Sequence, residues 1–290
     1  MVQLHTEDIQ TREVLDWQGV HLFHFRGSTC SQKVRIFLRL KGIDWHSHHL
    51  NLVNKEHQTP YYMGINPRGL VPTLIHDGKV IIESNDILTY LESTFPEPAL
   101  IPIEAQERMA ALLKAEDDLH LPIRSLTMRF VFPAFLVKRK EEELKNYEAL
   151  GSGTVGGAAD PKKAKETDFW RRLLQHGHVP DEDIRDAFAK FKQTLDGFES
   201  DLAQQKYLLG DEVTLADIAW YIYLKRLRAA GYPVEKLHPR VAAWFEGLDA
   251  RPEFTQEVPD GGLPGLITGT LHCAQKLRRS RLIDVVGTPS

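Results

Sequence analysis

The feature that most restricts the fold is a short apolar strand that turns directly into an amphipathic helix. Residues 20–25 predict a buried strand, and the apolar residues that follow Ser28 recur near helical spacing as far as Gly42. A glycine suits that end because it readily takes the left-handed backbone of a helix C-terminus. Residues 45–50 read as a second strand. The three elements form a strand–helix–strand unit with a right-handed crossover, which predicts an α/β domain.

The next residues extend this unit into a small domain. An Asp-Gly pair at 77–78 separates two short apolar runs and is typical of a hairpin turn. Residues 84–95 carry apolar side chains near helical spacing and predict a helix that closes against the sheet. A proline-rich stretch over residues 96–102 then marks a domain boundary.

Beyond this boundary every strong pattern is helical. The first is one long helix from Glu104 to about Lys145, interrupted near Pro122 and Pro133. Apolar residues alternate steps of three and four along residues 184–202, which predicts a helix with one buried face. Residues 151–165 are rich in glycine and charge and read as a flexible loop. Thr214 stands three residues before Asp217, which is the spacing of a capping box, so we interpret Asp217 as a structural residue.

Together these patterns predict two domains and a tail. We expect an α/β domain over residues 19–95, an all-helical domain over 103–255 with an insertion at about 138–180, and a C-terminal extension over 256–290.

Composition excludes several classes of function. The net charge of −4 over 290 residues gives no general attraction for nucleic acid or an anionic membrane. The first twenty residues lack the pattern of a secretory signal, and no window approaches eighteen consecutive apolar residues. The two cysteines provide no disulfide framework, which indicates a reducing compartment. We therefore expect a cytoplasmic protein without nucleic-acid or membrane partners.

The turn at residues 28–30 has the chemistry of an anion site. A helix N-terminus offers unpaired N–H groups and the positive end of the helix dipole, so it stabilises an anion such as a thiolate. Ser28 adds a hydroxyl donor, and Cys30 adds a second sulfur. Serine and threonine also cap helices that carry no function, so the turn alone leaves both interpretations open.

Two later motifs, and one histidine, complete the set of candidates. Leu70-Val71-Pro72 precedes an apolar strand, where a cis proline at the start of an edge strand would explain the proline. Glu83-Ser84 opens a helix, which is also what an ordinary acidic cap looks like. His57 stands before a further short helix and is otherwise a surface histidine.

These motifs resemble the glutathione S-transferase superfamily over about residues 20–255. The turn from Ser28 to Cys30, followed by Ser31, Val34 and Arg35, is similar to the active-site turn of zeta-class enzymes. Other segments resemble bacterial glutathione-dependent lignin β-aryl etherases and ganglioside-induced differentiation-associated proteins. These segments are 65–69, 71–72, 76–80, 83–84, 170–172, 207–208 and 215–218 for the etherases, and 31–35 and 56–57 for the latter.

The resemblance implies a thioredoxin-like first domain, an all-helical second domain and glutathione as co-substrate. It implies that the Ser28 hydroxyl donates to the glutathione sulfur and that the Val71 backbone pairs with its cysteinyl main chain. It further implies that Glu83 and Ser84 hold the γ-glutamyl end, and that His57 contacts the glycine carboxylate. The candidate catalytic residues are Ser28 and Cys30, and the candidate glutathione-binding residues are Ser28, Thr29, His57, Leu70, Val71, Pro72, Glu83 and Ser84.

Several interpretations of the reaction remain open at this point. Omega- and lambda-like relatives carry a catalytic cysteine where this chain has Ser28, which argues against Cys30 as the main reactive group. A hydrophobic aromatic electrophile would lie against a helix over residues 105–135, along Arg124, Met128 and Phe132, although that stripe also suits core or dimer packing. We expect a metal-free homodimer that transfers glutathione and cleaves β-aryl ethers. The alternatives are a weakly catalytic glutathione-binding protein, or an isomerase or reductive dehalogenase that uses Cys30.

The basic tail offers one further expectation. Lys276, Arg278, Arg279 and Arg281 lack an adjacent apolar anchor, so their attraction to a membrane would be weak and sensitive to salt. We expect one short helix in this tail, folded back over the protein.

Overall fold

The computed structural model describes residues 1–133, 137–258 and 262–287, and the side chains of these residues other than 262–268. The chain forms two compact units. The first contains Met1–Ala99 and Arg139–Gln175, and the second contains Leu100–Lys138 and His176–Ser290.

The first unit is built on a five-stranded mixed sheet in the order β1-β5-β4-β2-β3. β2 is parallel to β3 and antiparallel to β4, which confirms the predicted strand–helix–strand unit and hairpin. The strands are β1 (Val2–Gln3), β2 (Val20–His24), β3 (His46–His49), β4 (Thr73–His76) and β5 (Lys79–Ile82).

Three helices of this unit follow the strands. α1 (Thr29–Lys41) ends at Gly42, whose φ of 62° is the left-handed conformation that favours glycine. α2 (Pro60–Met63) is a single turn, and α3 (Ser84–Thr94) packs against α1. The apolar side chains of α1 and α3 are largely buried, among them Val34, Phe37, Ile87 and Leu91.

The N-terminal segment belongs to the same core, which the sequence did not indicate. β1 pairs with β5, and Leu4, Ile9 and Val14 are buried in a cluster with Phe23 and Tyr62. No single stretch of residues 1–19 has a clear period, so its burial depends on the sheet that it covers.

The insertion also folds onto the first unit. It contains α6 (Glu141–Ala149), a hairpin of β6 (Thr154–Val155) and β7 (Ala158–Ala159), and α7 (Pro161–His176). The sequence-based division assigned the insertion to the helical domain and described residues 151–165 as a flexible loop. The structure places Arg139–Gln175 in the α/β unit instead.

Asp8 explains why the insertion is ordered there. The buried Asp8 carboxylate accepts hydrogen bonds from Thr154 Oγ1 at 2.6 Å and from the Gly156 backbone at 2.8 Å. Gly156 and Gly157 have φ of 64° and 74°, so the turn needs glycine at both positions. Burial opposes ionisation, but these hydrogen bonds keep the pKa of Asp8 below its ordinary value.

The second unit is helical. α4 (Gln106–Asp118) and α5 (His120–Phe130) form the first part of the long helix that we predicted. The chain leaves helical geometry at Leu119, close to the interruption expected near Pro122, which falls in the first turn of α5. Residues 134–136, at the end of that predicted helix, lie outside the described residues. The other long helices of this part are α8 (Asp181–Asp201), α9 (Leu215–Ala229) and, after the single turn α10 (Val234–Leu237), α11 (Pro239–Asp249).

Asp217 is structural, as its spacing predicts. Its buried carboxylate accepts from the Thr214 backbone at 2.8 Å, the Leu208 backbone at 3.0 Å and Trp244 Nε1 at 2.9 Å. It therefore joins the start of α9 to the preceding turn and to α11.

The C-terminal tail is more helical than we predicted. After the short α12 (Pro252–Thr255), α13 (Gly262–Arg278) has 17 residues and α14 (Leu282–Val286) follows it. Arg281 pairs with Asp284 at the start of α14, and Leu282 is buried. α14 packs against α8, so the tail does fold back onto its own unit. Among the described residues, no helix combines the length and apolar character that a membrane span needs.

Replacing Asp8 by alanine tests the attachment of the insertion. The change leaves the N–H groups of Gly156 and Gly157 without their carboxylate acceptor, so amide exchange over residues 153–160 is expected to rise about ten-fold. Hydrogen-exchange mass spectrometry measures this directly. The exposed Asp16→Ala is the control, and equal protection in the two variants would contradict the attachment.

Candidate functional site

Ser28 lies at the N-terminus of α1, where sequence analysis placed it. Its backbone is extended, with φ −77° and ψ 124°, and its Oγ accepts the Ser31 backbone N–H at 3.3 Å. The side chain is half-buried. Among the described residues the hydroxyl accepts this hydrogen bond but donates none, so its proton is available to an anion at the helix end. Thr29 and Cys30 occupy the first turn beside it.

Two side chains that the sequence analysis left without a role hold this turn in place. Gln32 Nε2 donates to the Arg26 carbonyl at 3.1 Å, and Arg35 Nη2 donates to the same oxygen at 3.2 Å. Arg35 Nη1 also donates to the Phe25 carbonyl at 3.3 Å. Both side chains are buried within the first two turns of α1, so they fix the loop that leads from β2 to Ser28.

Cys30 is half-buried and is not part of a disulfide. It lies two residues beyond the N-cap position, in the helix itself. Ser28, and not Cys30, is therefore the N-cap residue of α1.

The Val71–Pro72 peptide bond is cis, as predicted, but the strand that follows it is not the edge strand that we expected, because β4 pairs with β5 on one side and with β2 on the other. In the described part of the chain, neither the N–H nor the carbonyl of Val71 makes a hydrogen bond. The Leu70 carbonyl, in contrast, accepts from the Tyr62 hydroxyl and from Asn66 Nδ2. Val71 therefore presents open main-chain groups beside the start of β4, whereas Leu70 is held by the fold, and Pro72 is buried.

Glu83 and Ser84 stand at the start of α3. Glu83 has φ 68°, a left-handed conformation that is strained for a residue with a side chain and often marks a functional position. Ser84 is buried at the first helical position. This turn lies at the end of β5, next to the strand that follows Pro72.

The Glu83 carboxylate is held by two cations that sequence analysis missed. Arg68 Nη1 pairs with one oxygen, and Lys162 Nζ lies 3.1 Å from the other. Arg68 also forms a fork with Asp160, with its Nε 2.7 Å from Oδ2 and its Nη2 2.9 Å from Oδ1. Burial opposes ionisation of Glu83, but Lys162 and Arg68 hold its pKa below the ordinary value, so it is charged at neutral pH.

The sequence carried weak signals for Arg68 and for its partner Asp160. Arg68 lies within the Asn66–Gly69 run that supports the family resemblance, and Asp160 precedes Pro161 as a helix-starting residue would. Neither signal indicates that the two side chains meet, because 92 residues separate them.

His57 lies in the first unit, and its imidazole ring is neutral. Burial and the positive charge of Arg139 lower the pKa of His57 to about 4. Its Nδ1 is buried and makes no hydrogen bond within the described chain. Any contact with a carboxylate would therefore use an N–H of the neutral ring rather than a positive charge.

The three residues of the expected substrate pocket belong to the second unit. Arg124 and Met128 are half-exposed on α5, and Phe132 is half-exposed just beyond the end of that helix. Arg124 Nη2 lies 3.4 Å from His120 Nε2. Their role in a pocket stays a prediction.

The N-terminal domain of glutathione S-transferases matches residues 22–99, and the C-terminal domain of the same family matches residues 171–247. The chain belongs to the glutathione S-transferase family. These matches confirm the fold class, a thioredoxin-like α/β domain followed by a helical domain.

The relatives of this chain match different shares of its length. LigF from Sphingobium sp. strain SYK-6 is 28% identical over 241 residues, which cover 80% of this chain and 90% of LigF. The crystal structure of this beta-etherase matches with a TM-score of 0.70 at 25% identity, over 83% of this chain and 99% of that chain.

Two other relatives bear out the remaining resemblances. The human ganglioside-induced differentiation-associated protein 1-like 1 is 25% identical over 275 residues, or 84% of this chain and 74% of the human protein. The maleylacetoacetate isomerase of Pseudomonas aeruginosa is 41% identical over 99 residues. That match covers 32% of this chain and 47% of the isomerase, so it spans less than half of that relative.

The titration of His57 tests the electrostatics of this site. NMR of the imidazole signals, with His57→Gln to assign the resonance, is expected to show a midpoint near pH 4. The imidazole ring of His57 is then neutral throughout the pH range in which the protein would work. A midpoint at or above the ordinary value of about 6.5 would show that the ring is solvated or paired with an acid.

Proposed function

We propose that this protein is a glutathione transferase in which Ser28 holds glutathione as its thiolate. The observation that carries the proposal is the Ser28 hydroxyl at the N-terminus of the 13-residue helix α1, which accepts one backbone N–H and keeps its proton available. Lowering the pKa of the bound glutathione thiol by about two units requires that the thiolate be stabilised over the thiol by roughly 2.7 kcal/mol. One charge-assisted hydrogen bond and a helix terminus are together sufficient for that effect.

The rest of the proposed glutathione site lies on the turns around Ser28. We propose that the open N–H and carbonyl of Val71, flanked by Leu70 and Pro72, pair with the cysteinyl main chain, as an added strand does. Thr29, the residue after Ser28, supports the part of the site that holds the glutathione sulfur. Glu83 and Ser84 bind the γ-glutamyl end, and His57 donates a neutral N–H to the glycine carboxylate.

For the reaction we propose cleavage of β-aryl ethers. The thiolate attacks the carbon that bears the aryloxy group, the new C–S bond replaces the C–O bond, and the leaving phenolate takes a proton from water. The similarity to LigF supports this choice, since it extends over most of both chains. We place the electrophile against Arg124, Met128 and Phe132, in a cytoplasmic homodimer.

A second candidate is glutathione-dependent isomerisation. The turn from Ser28 to Ser31 resembles the zeta class, and the 41% identity to a maleylacetoacetate isomerase supports it over 99 residues. In that reaction the thiolate adds to a double bond and leaves again after rotation, so glutathione is not consumed. A protein that binds glutathione without turnover is the third possibility, as this fold allows.

A product screen separates these candidates. The transferase is incubated with glutathione and, in turn, a synthetic β-aryl ether, a chloronitroaromatic compound and a maleyl compound. We expect the ether to give phenol and glutathione thioether in equal amounts. Isomerisation of the maleyl compound without loss of glutathione would favour the second candidate, and binding of glutathione without any product would favour the third.

The roles of Ser28 and Cys30 can be distinguished by substitution. Ser28→Ala removes the donor to the sulfur and is expected to lower kcat/KM by about 100-fold, whereas Cys30→Ala leaves it within about three-fold. Steady-state rates of glutathione transfer measure both. The reverse ranking, with a mixed disulfide trapped on Cys30, would replace transfer by thiol–disulfide chemistry.

A further inference from the structure

Four charged side chains beside Ser84 join the insertion to the candidate glutathione site. Arg68 and Glu83 come from the thioredoxin-like fold, and Asp160 and Lys162 come from the insertion. We call them the charged quartet. Its two positive and two negative groups balance, so the fold does not require a further ion to neutralise it.

Asp160 is the residue that fixes the insertion in this quartet. Its side chain and that of Arg68 are each 6% exposed, and two hydrogen bonds of 2.7 and 2.9 Å form their fork. Asp160 Oδ1 also accepts the Lys162 backbone N–H at 3.2 Å. The first turn of α7 is thereby held so that the side chain of Lys162 reaches Glu83.

The two cations on Glu83 differ in how freely they can leave it. The Arg68 guanidinium is buried and has Asp160 as a second partner, so it stays in place. The Lys162 side chain is 54% exposed, and its Nζ is 3.1 Å from Glu83 Oε2. Exposed ion pairs of this kind are weak and exchange partners readily.

The γ-glutamyl end of glutathione carries both charges that this arrangement can serve. Its α-carboxylate suits a lysine next to the N-terminus of α3, and its α-ammonium suits a carboxylate oxygen. Each oxygen of Glu83 already pairs with one cation, so an α-ammonium bound at Oε2 would lie beside the like charge of the Lys162 ammonium. This repulsion favours the departure of one cation when the ligand binds.

We propose that Lys162 exchanges partners when glutathione binds, so that the insertion forms part of the γ-glutamyl subsite. The Lys162 ammonium leaves Glu83 Oε2 and binds the α-carboxylate together with Ser84, and Glu83 Oε2 then accepts the α-ammonium. Lys162 thus makes the site specific for a γ-glutamyl thiol. This inference rests on the proposed function, because it takes glutathione as the ligand.

Calorimetric titration of the full-length chain tests the exchange. The ligands are glutathione and cysteinylglycine, which lacks the γ-glutamyl group, and the variants are Lys162→Ala, Lys162→Arg and the control Lys165→Ala. Lys165 is an exposed lysine of the same helix. Melting temperatures of all variants are measured alongside, and they are expected to agree because the ion pair to Glu83 is half-exposed.

The inference predicts a ligand-specific loss. Lys162→Ala is expected to weaken glutathione binding about ten-fold and to leave cysteinylglycine binding unchanged, since only glutathione presents the α-carboxylate. Lys162→Arg is expected to retain affinity within about three-fold, because it keeps the charge. The loss in Lys162→Ala shrinks at high salt, as screening of an exposed charge requires.

Two results would overturn the inference, and a third concerns the function itself. Equal glutathione affinity in the Lys162→Ala and Lys165→Ala variants would show that Lys162 does not contact the ligand. An equal loss for both ligands would show that the lysine only supports the fold. If the unmodified chain binds no glutathione at millimolar concentration, the proposed function fails together with the inference.

Discussion

The buried guanidinium of Arg68 connects the parts of the first unit on which the candidate site depends. Its side chain pairs with Glu83 at the start of α3 and with Asp160 in the insertion, and its backbone carbonyl accepts the Tyr147 hydroxyl. A charge taken out of water is costly unless it is paired and hydrogen-bonded, and burial does oppose the charged form of Arg68. Its hydrogen bonds to Asp160 and its attraction to Glu83 outweigh that cost and raise its pKa. Losing either acid would therefore loosen both the insertion and the turn that carries Ser84.

The proposed sulfur-binding end of the site depends on a different constraint, the N-terminus of α1. Ser28 can stabilise a thiolate only if the loop before it holds α1 in register with the sheet. Gln32 and Arg35 provide this by binding the Arg26 carbonyl from within the helix itself. The turn is thus fixed by the helix that it caps, which allows the hydroxyl to keep its geometry without a ligand. Preorganised donors of this kind cost no reorganisation when charge develops.

Sequence periodicity predicted the elements that are formed by local patterns. The strand before Ser28, the end of α1 at Gly42, the hairpin at residues 77–78 and the cap at Asp217 all follow from residues close together in the chain. The places where prediction failed depend on distant partners. Residues 151–165 of the insertion were predicted to be a flexible loop. Their order depends on Asp8 and Arg68, which are about 90 or more residues away in the chain. The break at Leu119, in contrast, lies three residues before Pro122, near which the sequence predicted an interruption.

The residues of the candidate site also fall into two groups, those that local motifs predict and those that depend on distant partners. Ser28, Val71, Glu83 and Ser84 could be named from motifs because each lies at the junction of a strand and a helix or at the start of a strand. Their partners could not, since Lys162 is an ordinary exposed lysine until Asp160 places it beside Glu83. His57 was expected as a contact for a carboxylate, but the sequence does not reveal that burial and Arg139 keep its ring neutral.

The ionisation state of the bound glutathione sulfur tests directly whether Ser28 and α1 stabilise a thiolate. Thiolate absorbs in the ultraviolet where thiol does not, so difference spectra of the glutathione complex across a pH series give the pKa of the bound thiol. A helix terminus and the Ser28 hydroxyl together predict a value near or below about 7, against about 8.5 for a free cysteine thiol. A bound thiol that titrates at about 8.5 or above would contradict the account, because it would show that Ser28 and α1 do not stabilise the anion.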